Sequence, residues 1–236
     1  MKYANIVHGT FLERENRFIA YVDIDGSVER VHVKNTGRCK ELLVKGAEVY
    51  LVKADDPKRT TKYDLVVVKK GKLLINMDSQ APNKVAGEWL AKEELFSKVS
   101  LIKPETTYGN SRFDFYVESE NSQAFVEVKG VTLEMDGIVK FPDAPSERAI
   151  KHMEELIKAK QDGYGAFVLF VVQMEEAICF MPNEFIHKEF GAVLRKAKAA
   201  GVEIIAYKCK VEKDSLEITE PIPVYYEDNY EEVRKG

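Results

Sequence analysis

Asp114, Glu127 and Lys129 are the residues of this chain whose types and spacing could do chemistry. Asp114 lies in Ser111-Arg112-Phe113-Asp114-Phe115, and Glu127, thirteen residues later, in Phe125-Val126-Glu127-Val128-Lys129-Gly130. Both segments are apolar and strand-like, and a charge in such a strand needs a partner because an isolated buried charge is costly. Two carboxylates converging at a sheet surface make a seat for a hard divalent cation, Mg²⁺ or Mn²⁺. Lys129 follows Glu127 by two positions and so shares its strand face. An ammonium there can hold an attacking water or offset charge developing on a phosphate. For three residues taken alone, an amphipathic hairpin with its polar groups in water is the plain alternative.

Positioning such groups takes a core, and the chain is long enough for one. Its 236 residues are 45% hydrophobic and 31% charged, a globular composition that excludes a disordered chain and gives room for one large or two small domains. No apolar run approaches the ~20 residues that cross a bilayer. Met1-Lys2-Tyr3-Ala4-Asn5 opens a strand-like pattern without a secretory apolar segment. Cys39, Cys179 and Cys209 lack metal-ligand spacing and read as free thiols. A cytoplasmic protein without membrane association is the expectation. The net charge of −4 hides an asymmetry: residues 1–80 carry 15 Lys/Arg against 11 Asp/Glu, and the remainder 20 against 28. A basic front half is compatible with phosphate contacts.

Residues 1–80 read as short strands. Asn16–Asp25 and Ser27–Val33 flank the hairpin dipeptide Asp25-Gly26, and Ala47–Lys53, Lys62–Val68 and Leu73–Met77 follow. Thr36-Gly37-Arg38-Cys39-Lys40-Glu41-Leu42-Leu43 reads as a turn and short helix. Together these predict a small barrel of OB-fold type. Phe11, Phe18, Tyr21 and Tyr50 are either base-stacking groups or core. From Pro82 the period becomes helical, with Asn83 as a candidate cap. Strands at Val99–Lys103, Arg112–Glu118 and Gln123–Lys129 come next, then a loop over Val131–Phe141 and a helix near Pro145–Gln161. Asp143 or Ser146 can cap that helix. The unbroken apolar run Ala166–Val172 predicts a buried central strand. A helix over Glu184–Ala200, a strand over Val202–Lys210 and a charged, frayed tail over Tyr226–Gly236 complete the chain. The predicted class is mixed α/β, with a barrel over residues 1–80 and an αβββαβ layer over residues 81–236.

The order αβββαβ, with Asp114 and Glu127-Val128-Lys129 on adjacent strands, resembles the PD-(D/E)XK nuclease superfamily. A more specific set of segments resembles the sugar fermentation stimulation protein (SfsA) family. These are Asn35-Thr36-Gly37-Arg38, Asn83 with Glu88, Ser111 to Phe115, Glu127-Val128-Lys129, Phe141-Pro142-Asp143-Ala144, Glu147-Arg148, Lys151-His152 and Gly201 to Tyr207. Pro145-Ser146 and Cys39 depart from the pattern without removing a charged site residue. The resemblance spans nearly the whole chain. It implies an OB-fold domain joined to a nuclease-like domain, and DNA, double-stranded, as the partner; a homodimer is compatible with it. It further implies a metal on Asp114, Glu127 and Glu88, with Lys129 beside it and Glu147 nearby. Arg148, Lys151 and His152 would face a phosphate. Arg112 would pair with Asp114 or reach a phosphate, and Asn35, Thr36, Gly37 and Arg38 would contact nucleic acid or form an ordinary turn. A metal-dependent nuclease and a non-catalytic DNA-binding regulator of sugar metabolism are the two leading functions; an oligosaccharide-binding barrel, suggested by the family name alone, is a third.

Overall fold

The structure, a computed structural model, describes residues 1–35, 37–56 and 58–226. Thr36 and most of the predicted tail, Glu227–Gly236, therefore lie outside the described residues.

Alternation of apolar and polar residues builds the first unit from β1 (Ile6–Arg14), β2 (Ile19–Ile24), β3 (Ser27–Val33), β4 (Glu48–Lys53) and β5 (Tyr63–Lys70), with β6 (Leu73–Asn76) added beside β5. The order β3-β2-β1-β4-β5 closes through a short parallel pairing of β3 with β5 at His32–Asp64 and Val33–Leu65, giving an OB-like barrel. The seam carries charge as well as ladder. The Arg59 guanidinium grips both Asp64 oxygens (2.6 and 3.0 Å), and His32 Nδ1 lies 3.0 Å from the same carboxylate. Phe11, Ala20, Val22, Val31, Val49, Leu51 and Leu65 fill the interior. Of the four aromatics singled out, Phe11 is core and Phe18 is exposed, with Tyr21 and Tyr50 half-buried. The expected short helix after Gly37 is only a turn, closed by Leu42 N and Leu43 N on Cys39 O (3.2 and 2.9 Å).

The second unit is a six-stranded sheet between helices. Its order is β15 (Ser215–Ile222), β14 (Glu203–Glu212), β12 (Gly165–Val172), β9 (Ser122–Val131), β8 (Ser111–Ser119) and β7 (Val99–Tyr108). The apolar run predicted as a central strand is β12, parallel to both β9 and β14 and buried along nearly its whole length. One face carries α1 (Ala81–Leu90), the other α2 (Glu147–Gln161) and α3 (Lys188–Ala199). Val131–Phe141, expected as a loop, instead forms the hairpin of β10 (Leu133–Met135) and β11 (Ile138–Phe141), and β13 (Cys179–Pro182) pairs with β11. All three cysteines are free and buried. Among the described residues, no helix is long and apolar enough to cross a membrane.

Two helix starts differ in detail from expectation. Pro82 occupies the first turn of α1, so Gln80 takes the cap position and Asn83 lies inside the helix. Ser146 does cap α2, accepting from Ala149 N (3.2 Å). Tyr226, assigned to the frayed tail, is 9% exposed and packs against Lys198 of α3, its ring carrying the ammonium at 5.3 Å.

A buried polar network fastens the barrel to the sheet. Gln173, just past β12, donates from Nε2 to Asn76 Oδ1 (2.9 Å) and Asp78 O (3.1 Å), and its carbonyl accepts from Asn76 N (3.0 Å). Tyr3 and Lys34 complete the network on Asp78 Oδ2 (3.2 and 2.8 Å). Hydrogen-bonded buried amides of this kind favour one relative orientation of the two units.

Candidate metal centre and nucleic-acid interface

The strands part where the charges lie. The β8–β9 ladder ends at Phe115–Val126, while β9 continues beside β12 to Val131 and β8 continues beside β7 to Ser111. Phe115 and Val117 pack in the α1-side core and Phe113 in the α2-side core, so β8 turns over at Asp114. The Asp114 carboxylate stands in for the missing ladder bonds. Its Oδ2 accepts from Val128 N (2.7 Å) and its Oδ1 from Asn83 Nδ2 (2.6 Å). Gly87, one turn after Asn83, lets α1 lie close to β8: a Cβ there would sit 3.3 Å from the Phe115 ring.

Glu127 points to the α2 side, between Phe125 and the strand's next ladder residues, and is 2% exposed. Its Oε1 takes hydrogen bonds from Lys129 Nζ and His152 Nδ1. Arg148 Nε donates to the other ring nitrogen of His152 (3.4 Å), which leaves Nδ1–H to face Glu127. The second carboxylate oxygen, Oε2, is buried without a hydrogen-bond partner. An orphaned anionic oxygen is expensive in a protein interior, and a cation is the ligand that would offset it.

The titration behaviour of the two carboxylates differs. Burial, reinforced by the charge of Glu127, raises the Asp114 carboxyl above the usual carboxylate range, against the Val128 N–H, Lys129 and Asn83. Burial also acts on Glu127, but the His152 bond and the Lys129 ammonium outweigh it and hold that carboxyl below its ordinary value. Two neighbouring acids pushed apart in this way leave the Asp114 side in want of positive charge.

His152, expected to face a phosphate, is 5% exposed and lies under the site as a partner of Glu127. α2 docks through Ala149, His152, Met153 and Leu156, which places His152 on the buried side of the helix, apart from Arg148 and Lys151. Those two are exposed, and Lys151 Nζ donates to Asn110 O (2.7 Å) in the β7–β8 turn. Arg112 does not pair with Asp114. Because β8 turns over there, its guanidinium lies in solvent, 3.5 Å from Glu105 Oε1. Arg112, Arg148 and Lys151 line an open groove whose wall includes Ser111 and His152, so it reaches the group that touches Glu127.

Of the two remaining predicted acids, Glu147 lines the same groove and Glu88 is placed elsewhere. Glu88 follows Asn83 by five positions, about 140° around a helix; it pairs with the Met1 amine (2.7 Å) beside β15 and does not join Asp114 and Glu127. The Glu147 side chain is 89% exposed, with one oxygen 3.6 Å from His187 Nε2. Among the described residues, no three Asp, Glu, His or Cys side chains are grouped as a metal cage.

In the barrel, Asn35, Gly37 and Arg38 are held by Arg14, for which no sequence pattern gave a signal. Its guanidinium donates to the carbonyls of Asn35 (2.7 Å), Gly37 (2.9 Å), Arg38 (2.7 Å), Arg17 (2.7 Å) and Asn16 (3.1 Å). Asn35 Oδ1 accepts from Gly37 N (2.8 Å), an Asx turn. Gly37 abuts Asp143 so closely that a Cβ would overlap the carboxylate. Asn35, Lys140 and Asp143 line a cleft between the two units that also reaches Gly130, the residue after Lys129. Arg38 is exposed beside it.

Comparison with known proteins bears on both units. Residues 12–77 match a family model described as the SfsA N-terminal OB domain, and residues 80–215 one described as the sugar fermentation stimulation protein RE domain. A sugar fermentation stimulation protein homolog of Clostridium beijerinckii is 57% identical over 224 residues, covering 95% of this chain and 99% of that one. One of Ruminiclostridium cellulolyticum is 54% identical with the same coverage. Among solved structures, SfsA of Pyrococcus furiosus, in complex with Ca²⁺, superposes with a TM-score of 0.86 at 28% identity, over 95% of this chain and 98% of that one.

Proposed function

Since the chain belongs to the sugar fermentation stimulation protein family, we propose that it binds DNA across the groove of Arg112, Arg148 and Lys151. We infer further that it cleaves phosphodiesters at Asp114, Glu127 and Lys129, with Mg²⁺ or Mn²⁺ as cofactor. The observation that carries this reading is the buried, unpartnered Oε2 of Glu127 beside a second acid whose burial favours its protonation. Two carboxylates are a fitting donor set for Mg²⁺, which keeps several waters and takes substrate phosphate oxygens as further ligands. The Ca²⁺ in the Pyrococcus furiosus relative is a cation of the same oxygen-seeking class.

When bound, such an ion lowers the pKa of a coordinated water and polarises a phosphoryl oxygen. The chain's own groups supply the rest. Asn83 and Val128 N–H fix the Asp114 carboxylate, and His152 fixes Glu127. Lys129, 13% exposed, is the cation placed to orient water or stabilise charge on the phosphate. The exposed Arg148 and Lys151 hold the backbone, and Asn35, Gly37 and Arg38 extend the contact from the barrel.

One observation favours a second reading, a non-catalytic DNA-binding regulator of sugar metabolism. Lys129 and His152 already offset the Glu127 charge without an ion. Supercoiled plasmid incubated with and without Mn²⁺ separates the two. Metal-dependent nicking that disappears in Asp114→Ala supports the nuclease; binding without nicking supports the regulator; nicking that persists in Asp114→Ala refutes the assigned site.

A further inference from the structure

Two phenyl rings, one in the barrel and one in the sheet unit, are exposed to solvent. Phe185, in the turn between β13 and α3, is 92% exposed, and Phe18, just before β2, is 46% exposed. Single exposed apolar residues are ordinary. These two differ in how firmly they are presented. The Phe185 turn is held by Asn183, whose N donates to Phe141 O (2.8 Å) and whose Nδ2 donates to Pro142 O (3.0 Å). Ile186 N and His187 N return to Asn183 O (3.1 and 2.9 Å), and Arg195 grips the Glu184 carboxylate. Phe18 is held by its N on Asn16 Oδ1 (2.8 Å) and by Val33 N on its carbonyl (2.7 Å).

Both turns converge on one seam. Arg14 ties the carbonyl of Arg17, the neighbour of Phe18, to those of Asn35 and Gly37. Gly37 abuts Asp143, which follows the Pro142 that Asn183 holds. The Arg17 guanidinium lies 5.3 Å from the centre of the Phe18 ring, and Arg38 is exposed on the same loop. Flat apolar faces interleaved with guanidinium groups suit nucleobases, which stack on phenyl rings while the cations meet the phosphates.

We propose that Phe18 and Phe185 stack on unpaired bases, so that the chain engages DNA where a duplex borders a single-stranded stretch. This rests on the DNA reading above and names the class of DNA. A phenyl ring reaches the face of a base only where the base has left its stack; an intact duplex offers edges.

Fluorescence anisotropy of the full chain with gapped DNA and with blunt duplex of equal length tests it. The wild type binds gapped DNA about thirty-fold more tightly, the scale of two stacked bases. Phe18→Ala/Phe185→Ala brings the two affinities together while blunt-duplex affinity and its salt dependence stay as in the wild type. Phe185→Trp retains the preference, and its emission is quenched by gapped DNA but not by blunt duplex; Trp89, at 5% exposure, gives a constant background. Equal wild-type affinity for both DNAs overturns the inference, as does a preference that survives in the double variant. Loss of self-association in Phe185→Ala with unchanged DNA binding also overturns it, in favour of a contact between copies. If the wild type binds no DNA of either kind, the DNA reading fails first and takes this inference with it.

Discussion

Asp114→Asn is expected to make the protein more stable while removing its metal binding. The substitution keeps size and hydrogen-bond count: the new amide oxygen accepts the Val128 N–H, and Asn83 turns its own amide to accept from the new NH₂. What disappears is a buried negative charge beside Glu127, the two effects that raise the Asp114 carboxyl. The gain is on the order of 1 kcal/mol, typical when a strained functional group is relaxed, or about 2–4 °C in Tm for a chain of this size. The pH dependence gives it a sign. A carboxyl whose folded pKa is raised contributes its full stability below the unfolded value of about 3.9 and loses it as pH rises through the folded value. The variant's advantage is therefore present at pH 7 and vanishes near pH 4. Urea unfolding at both pH values, with and without Mn²⁺, measures this, since a ligand of the native state stabilises by mass action. A variant less stable than the wild type at pH 7, or equally stabilised by Mn²⁺, would refute the reasoning and make Asp114 a structural strand link.

Three further outcomes follow from the same contacts. His152→Ala removes the donor from a buried carboxylate and costs roughly 1–3 kcal/mol in urea unfolding, and the Mn²⁺ titration of that variant shows weaker binding. Arg14→Ala strips five carbonyls of their donor; the Asn35–Arg38 loop becomes faster to cut by protease and DNA affinity falls, with Arg14→Lys restoring little because an ammonium lacks the planar fork. Gln173→Leu leaves Asn76 Oδ1 and Asp78 O short of a donor, costs about 1–3 kcal/mol, and splits the calorimetric transition of barrel and sheet into two.

Local pattern made much of the fold legible. Alternation and Asp25-Gly26 located β2 to β6 but not β1, and the unbroken Ala166–Val172 run announced a strand covered on both faces. The β10–β11 hairpin was not legible, because its strands are only 3 and 4 residues long and are supported by β13, which is distant in sequence. At the site, the Glu127–Lys129 pairing followed from strand period two. Two of the failures share one cause: helix rotation set by tertiary docking. Glu88 was grouped with the acids by the family resemblance, but α1 turns Asn83 to Asp114 and Glu88 to the Met1 amine. His152 was grouped with Arg148 and Lys151 as a phosphate contact, but α2 rolls that position onto Glu127. Arg14 carried no local signal, since its five acceptors are backbone carbonyls brought together only by barrel closure.

Diffraction from crystals soaked in Mn²⁺, collected at the manganese edge, tests the central claim most directly. The account predicts an anomalous peak about 2.1 Å from Glu127 Oε2 and from an Asp114 oxygen, with water filling the remaining positions. Density at other acidic residues, with Glu127 Oε2 still unpartnered at saturating Mn²⁺, would contradict it.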